Sequence, residues 1–330
     1  MNPQTFISII IPVYNTRQYL EQMLGSICMS VPEDNPRIKI EIICVDDGST
    51  DGSLDLLNEL ARKDRRIRIY SQQNQGQSVA RNTGIDHITK NPPLDAENKD
   101  NHWVYFFDSD DVLHTESGFE DFCALTNNRQ SDLVMFCGNV IDEEGHHMQN
   151  DRYQRPESLL VQDRPMAGTE VMSLLLKEFR FRAVPWLYLA RYSVLKETGI
   201  RFRPGIIHED ELFTATLLLS CKNVVAKNIN LVWHRMRQSS TMGATFSRRN
   251  MDCYLTVIDG MQEFMQAHPD LRRSIWDYCR YTLTHVLITA RCLPLRDRWH
   301  TLRRIVNSGY LPYVEFKRLI QFIIGNGKSS

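Results

Sequence analysis

Five apolar or aromatic residues, 103–107 (WVYFF), run straight into three carboxylates, Asp108, Asp110 and Asp111. Carboxylates this close repel one another. A positive partner is therefore expected among them, and hard oxygen ligands favour a divalent cation. A second acidic run, Glu209-Asp210-Glu211, follows His208. Acidic residues in a first helical turn complement the helix dipole, but three in succession exceed what capping needs. A zinc-protease helix of HExxH type is excluded, because Leu212 stands where its second histidine belongs. An EF-hand loop from Asp108 is excluded as well: Val112 and Leu113 occupy places that want an oxygen ligand and a glycine. His146 and His147 are adjacent, and in an extended segment they would face opposite ways, so they make a poor metal pair. The eight cysteines never approach CxxC spacing and mostly sit in apolar segments, which reads as reduced core thiols of a cytosolic protein.

The elements that must position these groups follow from periodicity and punctuation. Residues 103–107 have the length and β-rich character of a buried strand. The carboxylates then lie at its C-terminal end, the edge where open α/β sheets bind ligands. Strands are also expected at 6–13, closed by Pro12, at 38–45, which runs into Asp46-Asp47-Gly48-Ser49, and at 67–70. Helices are expected at 17–29 with Thr16 as N-cap, at 51–63 capped by Ser49 or Thr50, and from the loop 71–76 to about residue 88. The β-α-β-α-β-α-β alternation over residues 1–111 predicts a mostly parallel sheet with helices on both faces. No GxGxxG follows the first strand, so the dinucleotide fingerprint is missing. Further on come a helix at 116–127, a strand at 132–141 with a hairpin tip at 142–145, and a polar stretch 149–166 that assigns to nothing. A helix at 169–179, a helix from the acidic run to about residue 220 and a strand pair at 223–226 and 230–233 follow. From residue 246 the pattern is helical: 250–267, 271–291 and a shorter pair after Pro294.

Composition bounds the function. An apolar share of 42% and a charged share of 24% are those of a soluble globular chain. The net charge of −1 supplies no field that favours nucleic acid, so no nucleic-acid partner is expected. No stretch approaches the roughly 20 apolar residues of a spanning helix. The first eleven residues lack the basic start of a secretory leader. Charge is unevenly placed: residues 246–330 hold 13 Lys/Arg against 7 Asp/Glu. Such a basic helical tail is either a solvated face or a surface that leans on anionic headgroups at the inner membrane surface, making the protein cytoplasmic and peripheral.

Four motifs occur in order: Ile9-Ile10-Ile11-Pro12-Val13-Tyr14-Asn15, then Val45-Asp46-Asp47-Gly48-Ser49-Thr50-Asp51, then Asn74-Gln75-Gly76 with Ala80-Arg81-Asn82-Thr83-Gly84, then Phe107-Asp108-Ser109-Asp110-Asp111. The set resembles the signature of glycosyltransferase family 2, with its GT-A fold, an α/β Rossmann-like mostly parallel sheet flanked by helices. Glu209-Asp210 and the segment 233–241 extend the likeness to about residue 245. The division implied is a GT-A domain over 1–245, its nucleotide half about 1–115 and its acceptor half about 116–245, and a helical C-terminal extension over 246–330.

The resemblance implies an inverting enzyme that moves a sugar from a UDP-sugar donor to a hydroxyl of a glycan or lipid-linked acceptor, in surface polysaccharide synthesis. Pro12 and Tyr14 fall at the nucleotide, Tyr14 stacking on the base. Asp46 or Asp47 accepts from the uracil N3–H. Gly76 lets backbone approach the donor, Arg81 suits the diphosphate, and Gly84 packs helix on sheet. Asp108, Asp110 and Asp111 resemble a DXD-type motif. Asp110 is expected at ribose or metal, Asp111 at Mn2+ or Mg2+, and Asp108 in support. Asp210 matches the general base. His208 and Glu209 are expected to orient it or line the acceptor site. Arg235 or Arg237 is expected at a phosphate, and Trp186 is expected either on a sugar ring or in the core. Two other classes stand against this reading. A nucleotidyltransferase wants a Gly-rich basic loop after the first strand, where Tyr14-Asn15-Thr16 has no glycine. A non-catalytic nucleotide-sugar-binding component does not need the full set of carboxylates that this chain carries.

Overall fold

The isoleucine-rich segments β1 (Thr5–Val13) and β2 (Ile38–Asp46) pair in parallel, with Val13 opposite Asp46. Their β-branched side chains alternate between two buried faces: Ile7, Ile9, Ile11 and Val13 enter one core, while Ile10 enters the other. The computed structural model describes residues 5–91, 101–128, 130–162, 164–237 and 246–325. Between the first strands stand α1 (Arg17–Ser30), α2 (Ser53–Lys63), β3 (Ile67–Ser71), α3 (Gln77–Lys90) and β4 (His102–Phe106). Beyond β4 come β5 (Val112–Leu113), α4 (Gly118–Thr126), β6 (Leu133–Ile141), β7 (His147–Met148), α5 (Glu157–Leu160) and α6 (Gly168–Lys177). Then follow β8 (Tyr188–Arg191), α7 (Tyr192–Thr198), α8 (Glu209–Ser220) and β9 (Val224–Arg235). The chain closes with α9 (Arg248–Ala267), α10 (Arg272–Thr289), α11 (Leu295–Asn307) and α12 (Phe316–Ile324).

The strand order is β3-β2-β1-β4-β8-β6-β9-β5, with β7 on β6. Strands β1 to β4 are mutually parallel. Strand β8 runs against both β4 and β6, and β6 is parallel to β9. So β1, β2, β4, β6 and β9 all point their C-terminal ends to one edge. Strand order reverses between β1 and β4, and a crevice at such a switch point is where open α/β sheets bind ligands. The loops after β1, β2 and β4 and the end of β9 meet there.

The expected β-α alternation is present, and the basic C-terminal part is helical. Several details differ, among them helix α7 and the two-residue β5, which no expected element covers. Residues 223–233 do not form a strand pair: β9 is one twelve-residue strand, and its register against β6 slips on either side of Cys137. The two asparagines Asn228 and Asn230 interrupt its apolar pattern without ending it, because pairing with β6 resumes on the far side of the irregularity, at Asn230 and from Val232 to Arg235. Helix α2 is preceded by Gly52 in a left-handed conformation rather than capped by Ser49 or Thr50. Strand β8 was not foreseen, and neither was the four-residue helix α5 within the unassigned stretch. The cysteines are all free, with Cys292 alone exposed. No described helix is long and apolar enough to cross a membrane.

Two glycines fix how helices meet the sheet and each other. A Cβ on Gly84 would lie 2.5 Å from Ile10 Cγ2, which confirms that α3 packs closely on β1 there. A Cβ on Gly168 would lie 1.6 Å from the Leu218 carbonyl oxygen, so α6 touches the backbone of α8. Since backbone cannot rotate out of the way, Gly168→Ala is expected to destabilise the chain by about 3 kcal/mol in urea unfolding. The more forgiving Gly84→Ala meets a movable side chain and should cost less.

Candidate functional site

The first two motifs are knit together by short hydrogen bonds. Asn15, at φ 52°, donates its backbone N–H to Ser49 Oγ at 3.1 Å and accepts from the Thr50 N–H at 2.8 Å. The Arg17 N–H donates to Asp51 Oδ2, and Arg17 Nη1 to the Gly52 carbonyl. This web holds Tyr14 outward, 50% exposed, at the end of β1. Its ring is a free flat face, as base stacking would require. Half-buried Pro12 lies two residues before it, within β1.

Asp46 and Asp47 are both buried and both engaged. Asp47 accepts from the Gln75 and Gly76 N–H groups at 2.9 and 2.7 Å and from Gln72 Nε2 at 2.8 Å. It therefore shapes the third motif. Asp46 has only longer contacts, 3.3 Å each, from the Ser49 N–H and Ser71 Oγ. Gly76 stands at φ 87° with open space where a Cβ would be, so its glycine serves the backbone conformation.

Arg81 departs from expectation. Its guanidinium is buried and does not face an open diphosphate site. Nη2 donates to Asp108 Oδ1 at 2.9 Å and Nη1 to Glu209 Oε1 at 3.0 Å, above the Phe202 ring. Burial works against its charge, but Asp108 and Glu209 outweigh that. The next residues of the motif brace the same junction. Asn82 exchanges two hydrogen bonds with the Phe202 backbone, and Thr83 donates to Gln72.

Around the aspartates each cation has one place. Asp111 is fully buried, with both oxygens within 3.1 Å of His234 Nδ1 and one accepting from the Arg235 N–H. Burial opposes charge on His234, yet Asp111 and its acidic neighbours hold the imidazole up at about 9. Asp110 Oδ2 lies 2.7 Å from Arg237 Nε, an ion pair without hydrogen-bond alignment. Burial, then Asp111 and Asp108, push the Asp110 carboxyl up to about 7. That is the signature of negative charge short of compensation. Among the described residues, three ligand atoms converge within 4.8 Å only at Asp142, Glu144 and His146 on the exposed β6–β7 turn. The aspartates nevertheless suit a metal of the Mg2+ or Mn2+ kind, which takes one or two carboxylates and fills its shell with phosphate oxygens and water.

Two expected contacts are replaced by structural ones. Arg235 is buried, and its guanidinium spends four of its five N–H donors on the Asp110, Asp142 and Glu143 carbonyls and on Gln22, which locks it to the protein rather than to a phosphate. Both arginines lie over the Tyr19 ring, Arg235 as the last residue of β9 and Arg237 just past it, and Arg237 is the one whose side chain reaches an aspartate carboxylate. Trp186 takes the core alternative: it is buried, stacked on His234 at 4.8 Å and edged by Tyr153. Residues 238–241 of the segment 233–241 that extends the family likeness lie outside the described residues.

The acidic run opens α8, as dipole complementarity predicts, but its members part ways. Glu209 turns to Arg81, while Glu211 accepts from the Tyr278 hydroxyl at 2.8 Å. Asp210 accepts only its neighbour's N–H, with no side-chain partner among the described residues. Burial, then Glu209 and Glu211, hold its carboxyl well above the usual range. His208, at φ 66°, stacks on Tyr254 and lies 3.3 Å from Asn250 Nδ2. Sequence reasoning missed the partners Tyr278, Tyr254 and Phe202, since aromatic residues in helices and loops read as core.

The chain resembles known proteins over this same region. The family model described as Glycosyl transferase family 2 matches residues 8–183. Glycosyltransferase GlyG of Streptococcus pneumoniae is 26% identical over 269 residues, covering 77% of this chain and 82% of that protein. A poly(ribitol-phosphate) beta-glucosyltransferase of Bacillus spizizenii is 29% identical over 66% of this chain, which spans only 30% of that longer protein. The fold is shared with S. aureus TarS 1–349, solved in complex with UDP-GlcNAc, at a TM-score of 0.59 and 18% identity, covering 95% of this chain and 93% of that one.

The Arg81 bridge can be tested without substrate. Arg81→Met leaves Asp108 and Glu209 without their cation and is expected to cost about 3–5 kcal/mol in urea unfolding. Adding Asp108→Asn and Glu209→Gln to it should restore most of that loss. A single variant as stable as the parent would show the bridge to be idle.

Proposed function

Because the chain belongs to glycosyltransferase family 2 and is a glycosyltransferase of GT-A fold, we propose that it transfers a hexosyl or N-acetylhexosaminyl group from a UDP-sugar to a hydroxyl, with inversion. The acceptor is a glycan or lipid-linked saccharide of surface polysaccharide synthesis, met at the inner face of the membrane through peripheral contact by the helical tail. The single observation that carries the mechanism is the isolation of Asp210. Of the six carboxylates at 108, 110, 111 and 209–211, five have a cation or hydroxyl as partner and Asp210 has none among the described residues. An unpartnered carboxylate of raised pKa is built to take a proton rather than to hold a salt bridge.

In this reading Tyr14 stacks on the uracil and Asp46, whose contacts are the looser of the doublet, accepts from its N3–H. Asp47 keeps the Gly76 loop against the donor. Asp110 and Asp111 would hold Mn2+ or Mg2+, which would supply neutralisation of the charge that gathers on the leaving group. Arg237, at the end of the same cluster, is the cation nearest Asp110 and the one we assign to a phosphate. Asp108 and Glu209 stay tied through Arg81, which keeps the base in register with the donor. Asp210 takes the proton from the acceptor hydroxyl as its oxygen attacks C1 from the side opposite the diphosphate.

UDP release with a panel of UDP-sugars, acceptor glycans and Mn2+ tests this. Asp210→Asn should lower transfer about a thousandfold while leaving UDP affinity within about twofold. Full transfer in that variant would remove Asp210 from the base role. Transfer should also stop on chelation and return with Mn2+ or Mg2+. The base acts only when unprotonated, and its pKa lies above the usual carboxylate range. kcat/KM must therefore rise with pH on a limb displaced upward from that range, and a limb at ordinary carboxylate pH would contradict the assignment.

A further inference from the structure

Helices α11 and α12 each leave an apolar stripe uncovered. On α11, Leu295, Trp299 and Val306 are exposed, and their spacing of four and seven places them on one face. On α12, Phe316, Ile320 and Ile324 recur every fourth residue, with Phe316 76% and Ile324 69% exposed. The other sides of both helices are occupied. Thr301 and Ile305 are buried, Arg304 bonds to Asp252 and Asp259 of α9, and Phe322 is wholly enclosed. Arg298 ties the pair by donating to the Phe322 and Ile323 carbonyls. Solvent-facing stripes of this kind on two joined helices are larger than scattered surface apolar residues and mark an interaction face.

Charge identifies the partner. Residues 295–325 carry six Lys/Arg against two Asp/Glu. Arg296, Arg303 and Lys317 are exposed and form no ion pair among the described residues. A second copy would set these cations against themselves in a twofold contact. An aromatic-rich apolar stripe flanked by free cations instead matches an anionic bilayer, with Trp299 and Phe316 at headgroup level and the cations among phosphates. We propose that α11 and α12 form a docking face for an anionic lipid membrane, which deepens the membrane contact proposed above by naming its residues. The face adjoins the site. His300, next to Trp299, is 2.8 Å from Arg248, and Asn250, two residues on, lies 3.3 Å from His208 beside the acidic run. Docking through it would bring the acceptor side of the protein to the lipid surface.

Flotation of the full chain with vesicles, without nucleotide sugar, decides the matter. Binding is expected to phosphatidylcholine vesicles containing phosphatidylglycerol and not to phosphatidylcholine alone. It should weaken severalfold between about 0.1 M and about 0.5 M salt, as screening requires. Arg296→Glu with Arg303→Glu and Lys317→Glu should cut partitioning by about a hundredfold, at the usual strength of basic residues near such surfaces. Trp299→Glu with Phe316→Glu should cut it at least tenfold, while thermal melts stay within a few degrees of the parent. Should that pair fail to fold, Trp299→Gln with Phe316→Gln gives the same reading. No flotation, or flotation unchanged in the variants, overturns the proposal. So does a dimer that the same variants abolish without any vesicle binding. Because no sugar transfer enters the measurement, its failure is distinct from failure of the glycosyltransfer mechanism, which UDP release reports.

Discussion

One guanidinium holds two distant stretches of this chain in register. Arg81 on α3 reaches Asp108 after β4 and Glu209 at the start of α8; the bond to Glu209 is made out of water, and the one to Asp108 at a half-buried carboxylate. Two carboxylates brought this close without it would drive the donor loop and the base helix apart, and a buried charge left without a partner is among the costliest defects a fold can carry. The remaining cations obey the same logic, with His234 beside Asp111 and Arg237 beside Asp110. The cations at the sheet edge are thus placed locally, and they leave the acidic cluster with an excess of negative charge. Asp210, without a side-chain partner among the described residues, is the carboxylate best suited to change protonation state.

The nucleotide half was readable because its signals are local. Isoleucine-rich strands alternate between faces, the turn after β2 carries Asp47-Gly48 and Asp51-Gly52, and helices fall between the strands. Strand β8 escaped notice because it has four residues and follows a Pro185 turn, so no period could be established. Strand β9 looked broken because polar residues occur where it twists against β6.

Residue types at the site were legible in the same way, and their partners were not. A sequence shows that Arg235 and Arg237 lie near the aspartates in some sense. Only the end of β9 at Arg235 and the carbonyls that surround it decide which one is locked to the backbone and which one meets a carboxylate. Trp186 illustrates the same limit. An aromatic residue near a sugar site could line it or sit under it, and here it supports the ring of His234 from below. Partners separated by more than 100 residues, such as Arg81 and Glu209, are consequences of topology and have no signal in the spacing of letters.

The C-terminal helices do not merely follow the catalytic part. Tyr278 of α10 holds Glu211, Tyr254 of α9 stacks on His208, and a Cβ on Gly260 of α9 would lie 2.6 Å from Leu212. Every residue from 208 to 212 except Asp210 is thereby gripped from outside α8, three of them (His208, Glu211 and Leu212) by helices beyond residue 246. In protein engineering terms, the unit of exchange runs from about residue 185 to the end of the last helix. A chimera that imports a new acceptor specificity must carry those helices along with it, and a crossover near residue 245 would sever the pieces that shape the proton acceptor.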